Sequence, residues 1–158
     1  MERPEPASND VASIDAVVTA LYEAVSFEPN GRPNWDRLSS LFHPDGRLIP
    51  PRADDSEILP VLSMNEFIRR SAAYAERVGL GKRGFYEREI GRQTERFGNI
   101  AHLFSAYASF HTPEDAEPFA RGVNSIQLVW DRDRWWVMTV LWDAERPENP
   151  IPKEYGSP

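Results

Sequence analysis

The chain has 158 residues, 41% of them hydrophobic and 27% charged, with a formal net charge of −7 and no cysteine. That length suits one domain, able to bury about two thirds of its unfolded surface without a covalent staple. The missing cysteines exclude a disulfide scaffold, a thiol nucleophile and cysteine-based zinc or iron–sulfur sites, and the acidic balance argues against a general nucleic-acid binder.

Met1 to Asp10 is polar, carries Pro4 and Pro6 and lacks the basic start and apolar run of a signal peptide. Residues 1–9 read as a disordered leader. No apolar run approaches the roughly 18 residues of a membrane helix, so a cytoplasmic protein without membrane or nucleic-acid partners is expected. Asn9 or Asp10 can cap a first helix, with Val11, Ile14, Val18, Leu21 and Val25 on one stripe and Tyr22 widening it. Pro29, Asn30, Gly31 and Pro33 end that helix. Asn34 caps a short second helix carrying Trp35, Leu38, Leu41 and Phe42, which His43-Pro44-Asp45-Gly46 stops. Arg47 to Pro50 reads as a short strand and 50–62 as a polar loop. Ser63-Met64-Asn65-Glu66 has the capping-box pattern, opening a third helix to about Val78.

Four extended segments follow, at about 84–97, 99–111, 119–131 and 134–143. Helices first and long strands second predict an α+β domain over 10–145, a curved antiparallel sheet with three N-terminal helices on one face, and a proline-rich extended tail over 146–158. Glu87, Arg88, Glu89, Arg92, Glu95 and Arg96 mix signs at odd and even positions, the pattern of a solvated edge strand. In the last strand, Trp135, Val137, Thr139 and Leu141 share one face and Trp136, Met138, Val140 and Trp142 the other. A sheet apolar on both faces needs a second cover, which predicts a homodimer through the sheet face, with a folded-back tail as the alternative.

The order of elements, Leu41-Phe42-His43-Pro44-Asp45-Gly46 before the first strand, and Asp131-Arg132-Asp133-Arg134-Trp135-Trp136-Val137 opening the last strand resemble the nuclear transport factor 2-like superfamily. The SnoaL-like and ketosteroid-isomerase-like branches, among uncharacterised bacterial members, are the most similar in flavour. The resemblance implies a conical sheet wrapped around helices, a deep pocket between them, and often a sheet-to-sheet dimer. It spans isomerases, dehydratases, cyclases, epoxide hydrolases and binding domains, so fold does not fix function. The catalytic set of no characterised branch maps onto this chain residue by residue.

Asp143 is the first candidate, as a base: a carboxylate ending an apolar strand beside Trp142, or else a solvated aspartate paired with Arg146 or Arg121. Tyr107 and His102 are candidate proton donors. They lie on opposite faces of one strand, so if Tyr107 lines the pocket His102 points outward. Trp35, Asn124, Arg121 and Leu141 are candidate ligand contacts. For Arg121 the alternative is a salt bridge to Glu114 or Glu117, and for Asn124 a structural hydrogen bond. His43 and His111 are too scattered for a metal site; neither metal nor cofactor is expected. The expected function is a pocket for a small hydrophobic molecule, with cofactor-free acid–base isomerisation, dehydration or cyclisation as its chemistry. The alternative is a non-catalytic binding or dimerisation module.

Overall fold

Ser13 Oγ accepts from the Ala16 amide at 3.1 Å and so caps the first helix, α1, Ile14–Val25. The computed structural model describes residues 2–156. Asn9 and Asp10, the expected caps, sit instead in a 3-10 turn, Ser8–Val11, and the Asp10 carboxylate is taken by Arg37 at 2.9 and 3.0 Å. Asn34 caps α2, Trp35–Leu41, as expected, its Oδ1 accepting from the Arg37 amide at 3.0 Å. Strand β1, Phe42–Ile49, follows at once. Helix α3, Met64–Val78, opens on the full capping box of Ser63 and Glu66, and a four-residue helix, α4, Leu80–Arg83, follows it.

Strands β2, Tyr86–Phe97, β3, Ile100–Phe110, β4, Ala120–Asp131, and β5, Arg134–Ala144, form consecutive antiparallel pairs. The sheet order is β1-β5-β4-β3-β2, and β1 joins β5 in parallel. The sheet is therefore mixed and not wholly antiparallel: only strands joined by short turns are held antiparallel, and β1 reaches β5 across the rest of the chain.

Two irregularities govern which side chains face the helices. In β2 the pairing runs Glu89 with Tyr107 and then Gly91 with Ala106, leaving Ile90 as the extra residue of a bulge. In β5 it runs Val137 with Leu128 and then Thr139 with Gln127, which leaves out Met138. A bulge reverses the inside–outside alternation beyond it. Trp135 and Val137 face inward before the β5 bulge, and Val140 and Trp142 do so after it, all against the core. The two apolar parities of this strand are thus largely one inward face. Leu38, Leu41, Phe42, Leu103, Ile126, Val17 and Val137 form its fully buried centre, each side chain stabilising the fold by roughly 1.5–3 kcal/mol.

The segment after β5 returns to the outer face. A 3-10 turn, Lys153–Tyr155, packs on β2 and β3: Gln93 Nε2 donates to the Glu154 carbonyl at 2.9 Å, and the Tyr155 ring meets Phe104 edge-on at 5.8 Å. Gly91 makes this possible, since a Cβ there would overlap the Tyr155 carbonyl.

Candidate functional site

A cavity of about 590 Å³ lies between the inner sheet face and the helices. Its apolar walls are Leu21 and Val25 of α1, Trp35 and Leu38 of α2, Phe67 and Ala75 of α3, and Ile126, Val140 and Trp142 of the sheet. Exposed Arg32, Ala72 and Tyr74 also line it, which places the mouth between α3 and the loop after α1. Helix α3 contributes no buried residue of its own. Phe67 anchors it, standing edge-on to Trp35 at 6.2 Å and to Trp142 at 6.0 Å.

Glu87, Tyr107 and Asn124 stand among the polar residues that line this apolar space. Glu87 comes from β2, its amide donating to Ser26 Oγ at 3.0 Å at the end of α1 and its carboxylate accepting from Ser109 Oγ at 3.0 Å. Burial pushes its carboxyl up to about 7, and the Ser109 hydrogen bond only partly offsets this. Tyr107 stands across from Gly122 on β4, where a Cβ would overlap the phenol. Burial raises the Tyr107 hydroxyl above its ordinary value, with the negative charges of Glu87 and Asp143 adding to the effect. Asn124 donates from Nδ2 to the Tyr22 hydroxyl at 3.1 Å, and that hydroxyl lies 2.7 Å from Ser105 Oγ. Burial raises the Tyr22 hydroxyl as well, so both phenols stay protonated as donors.

A larger and shallower concavity of about 740 Å³ lies beyond the N-terminal end of α1. Its charges are already satisfied: Arg92 pairs with Asp15 at 2.7 Å and Glu89 at 3.2 Å, and Arg96 stacks over Trp135 at 4.9 Å. The apolar cavity is therefore the better candidate site.

No family model matches the sequence, and no curated protein does either. Solved structures do resemble this one. A protein with a cystatin-like fold from Caulobacter vibrioides aligns with a TM-score of 0.58 at 14% identity, over 85% of this chain and 89% of that one. A protein of unknown function from Mycobacterium tuberculosis aligns at 0.57 with 17% identity, over 87% and 73%. An NTF2-like protein of unknown function from Shewanella baltica aligns at 0.53 with 10% identity, over 84% and 91%. The fold is nuclear transport factor 2-like.

Within this nuclear transport factor 2-like fold the structure brings Trp35, Tyr107 and Asn124 to the cavity and leaves the other four candidates outside its lining. Asp143 lies past the β5 bulge, exposed, with its Oδ1 accepting from Arg146 at 2.9 Å. Leu141, also past the bulge, is exposed, paired with Ser125. His102 is on the face opposite Tyr107, exposed and 3.2 Å from Glu95. Arg121 pairs with Glu145 at 3.0 Å, a partner the sequence did not suggest. The solvated-edge reading of β2 is corrected: Glu87 lines the cavity, and Glu89 and Arg92 turn inward with it because the Ile90 bulge brings odd residues before it and even residues after it to one face. Tyr22 had a signal in the sequence, a hydroxyl on an apolar helix stripe that must find a partner. Glu87 had only an indirect one, Gly91 inside the strand, which hints at the bulge that turns Glu87 inward.

Proposed function

We propose that this chain binds a small, mainly apolar molecule carrying an oxygen acceptor, and that Glu87 exchanges a proton with it while the Tyr107 hydroxyl donates to that oxygen. The observation that carries this reading is a carboxyl and a phenol, Glu87 and Tyr107, lining one apolar cavity, where burial pushes the carboxyl up to about 7. A group poised near the working pH is the best compromise between carrying the right charge and transferring the proton, and contributes roughly 10²–10⁴-fold. Isomerisation, dehydration and cyclisation are the cofactor-free reactions of this type.

A proton-exchange assay tests the chemistry without knowledge of the natural substrate. The bicyclic ketone 2-tetralone in deuterated buffer reports proton removal beside its carbonyl by NMR. The wild type accelerates exchange over buffer, more at pH 8 than at pH 5, with a midpoint near 7. Glu87→Gln loses the acceleration but keeps binding, and Ala75→Trp, which fills the cavity from α3, loses both. Binding that Ala75→Trp leaves unchanged overturns the cavity as the site. Acceleration that survives Glu87→Gln removes Glu87 from the chemistry.

We also propose that a second copy covers the outer sheet face. Phe97 and Ile100, paired across the β2–β3 turn, are 84% and 59% exposed, and Phe104, farther along the same face, stays 46% exposed with Tyr155 against it. The tail covers only the neighbouring part of this face. A monomeric mass at micromolar concentration overturns this proposal.

A further inference from the structure

A chain of hydrogen bonds leaves the cavity and ends in the shallow groove. Asn124 Nδ2 donates to the Tyr22 hydroxyl at 3.1 Å, that hydroxyl lies 2.7 Å from Ser105 Oγ, and Ser105 Oγ donates to Glu89 Oε2. The other Glu89 oxygen pairs with Arg92 at 3.2 Å. Ser105 is 0% exposed and Tyr22 7% exposed, so bulk water does not compete for the middle of the chain. Glu89 and Arg92 line the groove and not the cavity.

The chain has one consistent direction. A carboxylate paired with arginine only accepts. Ser105 therefore spends its proton on Glu89 and must accept from Tyr22. Tyr22 spends its proton on Ser105 and must accept from Asn124. The Asn124 amide is thereby fixed with its nitrogen toward Tyr22, an orientation set by the network and not by the amide's own shape. Its Oδ1 accepts no hydrogen bond from the described residues and belongs to a cavity-lining side chain.

We propose that Glu89, acting through Ser105 and Tyr22, is a positioning residue that keeps the Asn124 amide oxygen available to the cavity, so that the site selects ligands carrying a hydroxyl or N–H donor. This rests on the ligand-binding reading above and deepens it. Tyr107 calls for an acceptor on the ligand, and Asn124 calls for a donor. The class that satisfies both is a small apolar molecule with a carbonyl and a hydroxyl or N–H group. A ligand without the donor strips water from Oδ1 and returns nothing, and sites built around such a bond reject the analogue that lacks it.

The test uses the full chain at pH 6, where Glu87 is mainly protonated, and two probes related by O-methylation, which removes the donor and adds one methyl group: 2-naphthol and 2-methoxynaphthalene. Binding is read from tryptophan fluorescence, since Trp35 and Trp142 line the cavity. The wild type binds 2-naphthol about tenfold more tightly than its methyl ether, an ordinary discrimination for one hydrogen bond. Glu89→Gln offers Ser105 a donor and reverses the chain, and Ser105→Ala cuts it. Both bring the ratio to about one while changing affinity for the methyl ether by no more than about twofold. A purely structural role for Glu89 or Ser105 weakens both probes alike and overturns the proposal, as does a wild-type ratio near one or a ratio that survives Glu89→Gln. Failure of the wild type to bind either probe overturns the cavity reading itself, and the inference falls with it. A ligand-free readout stands beside these: the Asn124 side-chain amide resonances move on Glu89→Gln, and unchanged resonances overturn the relay.

Discussion

Replacing Glu87 by glutamine turns the cavity carboxyl into a direct pH experiment. The folded state holds the Glu87 proton up to about 7, against 4.5 for an unperturbed glutamate. The sign follows from linkage: between these values the folded chain binds more protons than the unfolded chain, so this group makes stability fall as pH rises, and above about 7 its effect is constant. Each pH unit in that window is worth about 1.4 kcal/mol, so the wild type loses about 3 kcal/mol across it on this account alone. In Glu87→Gln the new side chain cannot titrate, yet its carbonyl can still accept from Ser109. Other groups titrate equally in both proteins, so the quantity to measure is the stability difference between variant and wild type by urea denaturation from pH 5 to pH 8. Over pH 5 to 8, which starts inside the window, that difference is expected to move by about 2–3 kcal/mol in favour of Glu87→Gln, or roughly 5–10 °C in midpoint temperature for a chain of this size. A difference that stays constant with pH refutes the buried, proton-holding Glu87.

Gly122→Ala drives a Cβ into the Tyr107 phenol and is expected to cost about 1–3 kcal/mol, as overpacking does; Gly122→Ala combined with Tyr107→Ala loses less than the sum of the two single variants in thermal unfolding, and strict additivity would show that the two do not meet. Gly91→Ala collides with the Tyr155 carbonyl and releases the tail, which is read as faster tryptic cleavage after Lys153 with unchanged far-UV circular dichroism; an unchanged cleavage rate removes the contact. Ser63→Ala breaks the capping box, worth about 1 kcal/mol. Because α3 buries none of its residues, hydrogen exchange should show that loss within α3 while β3 and β4 keep their protection.

Much of the fold was legible because local chemistry and tertiary packing agree. The Ser63–Glu66 capping box and the Asn34 cap are where the residues put them. The start of α1 was not, because Asn9, Asp10 and Ser13 are all competent caps, and a tertiary partner, Arg37, claims Asp10. The cavity was half legible. Tyr107 and Asn124 sit on strands whose alternation is undisturbed as far as the site, so counting by twos puts them on the right face. Leu141 and Asp143 count onto the face of Trp135 and Val137 only if β5 is regular, and the omission of Met138 from the pairing sends them the other way. The same error in β2 hid Glu87 among charges that looked evenly distributed. Local marks are slight: neither Ile90 nor Met138 is a glycine or takes a left-handed backbone conformation, and Gly91 beside Ile90 is the single local sign of the β2 bulge, so the partner strand's register is what reveals the slips.

The ends of the sheet bear on how the chain meets its own copies. An edge strand with a long regular run of free amides and carbonyls invites another strand to add to it, and so on without limit. Here β2 is interrupted at Ile90, and the returning tail lies against that interruption. At the opposite edge β1 carries Pro44, loses register between Phe42 and Arg47, and gives Leu48 to a bridge with Leu62. Neither margin offers an unbroken template, so open-ended strand-by-strand growth is disfavoured at both sides.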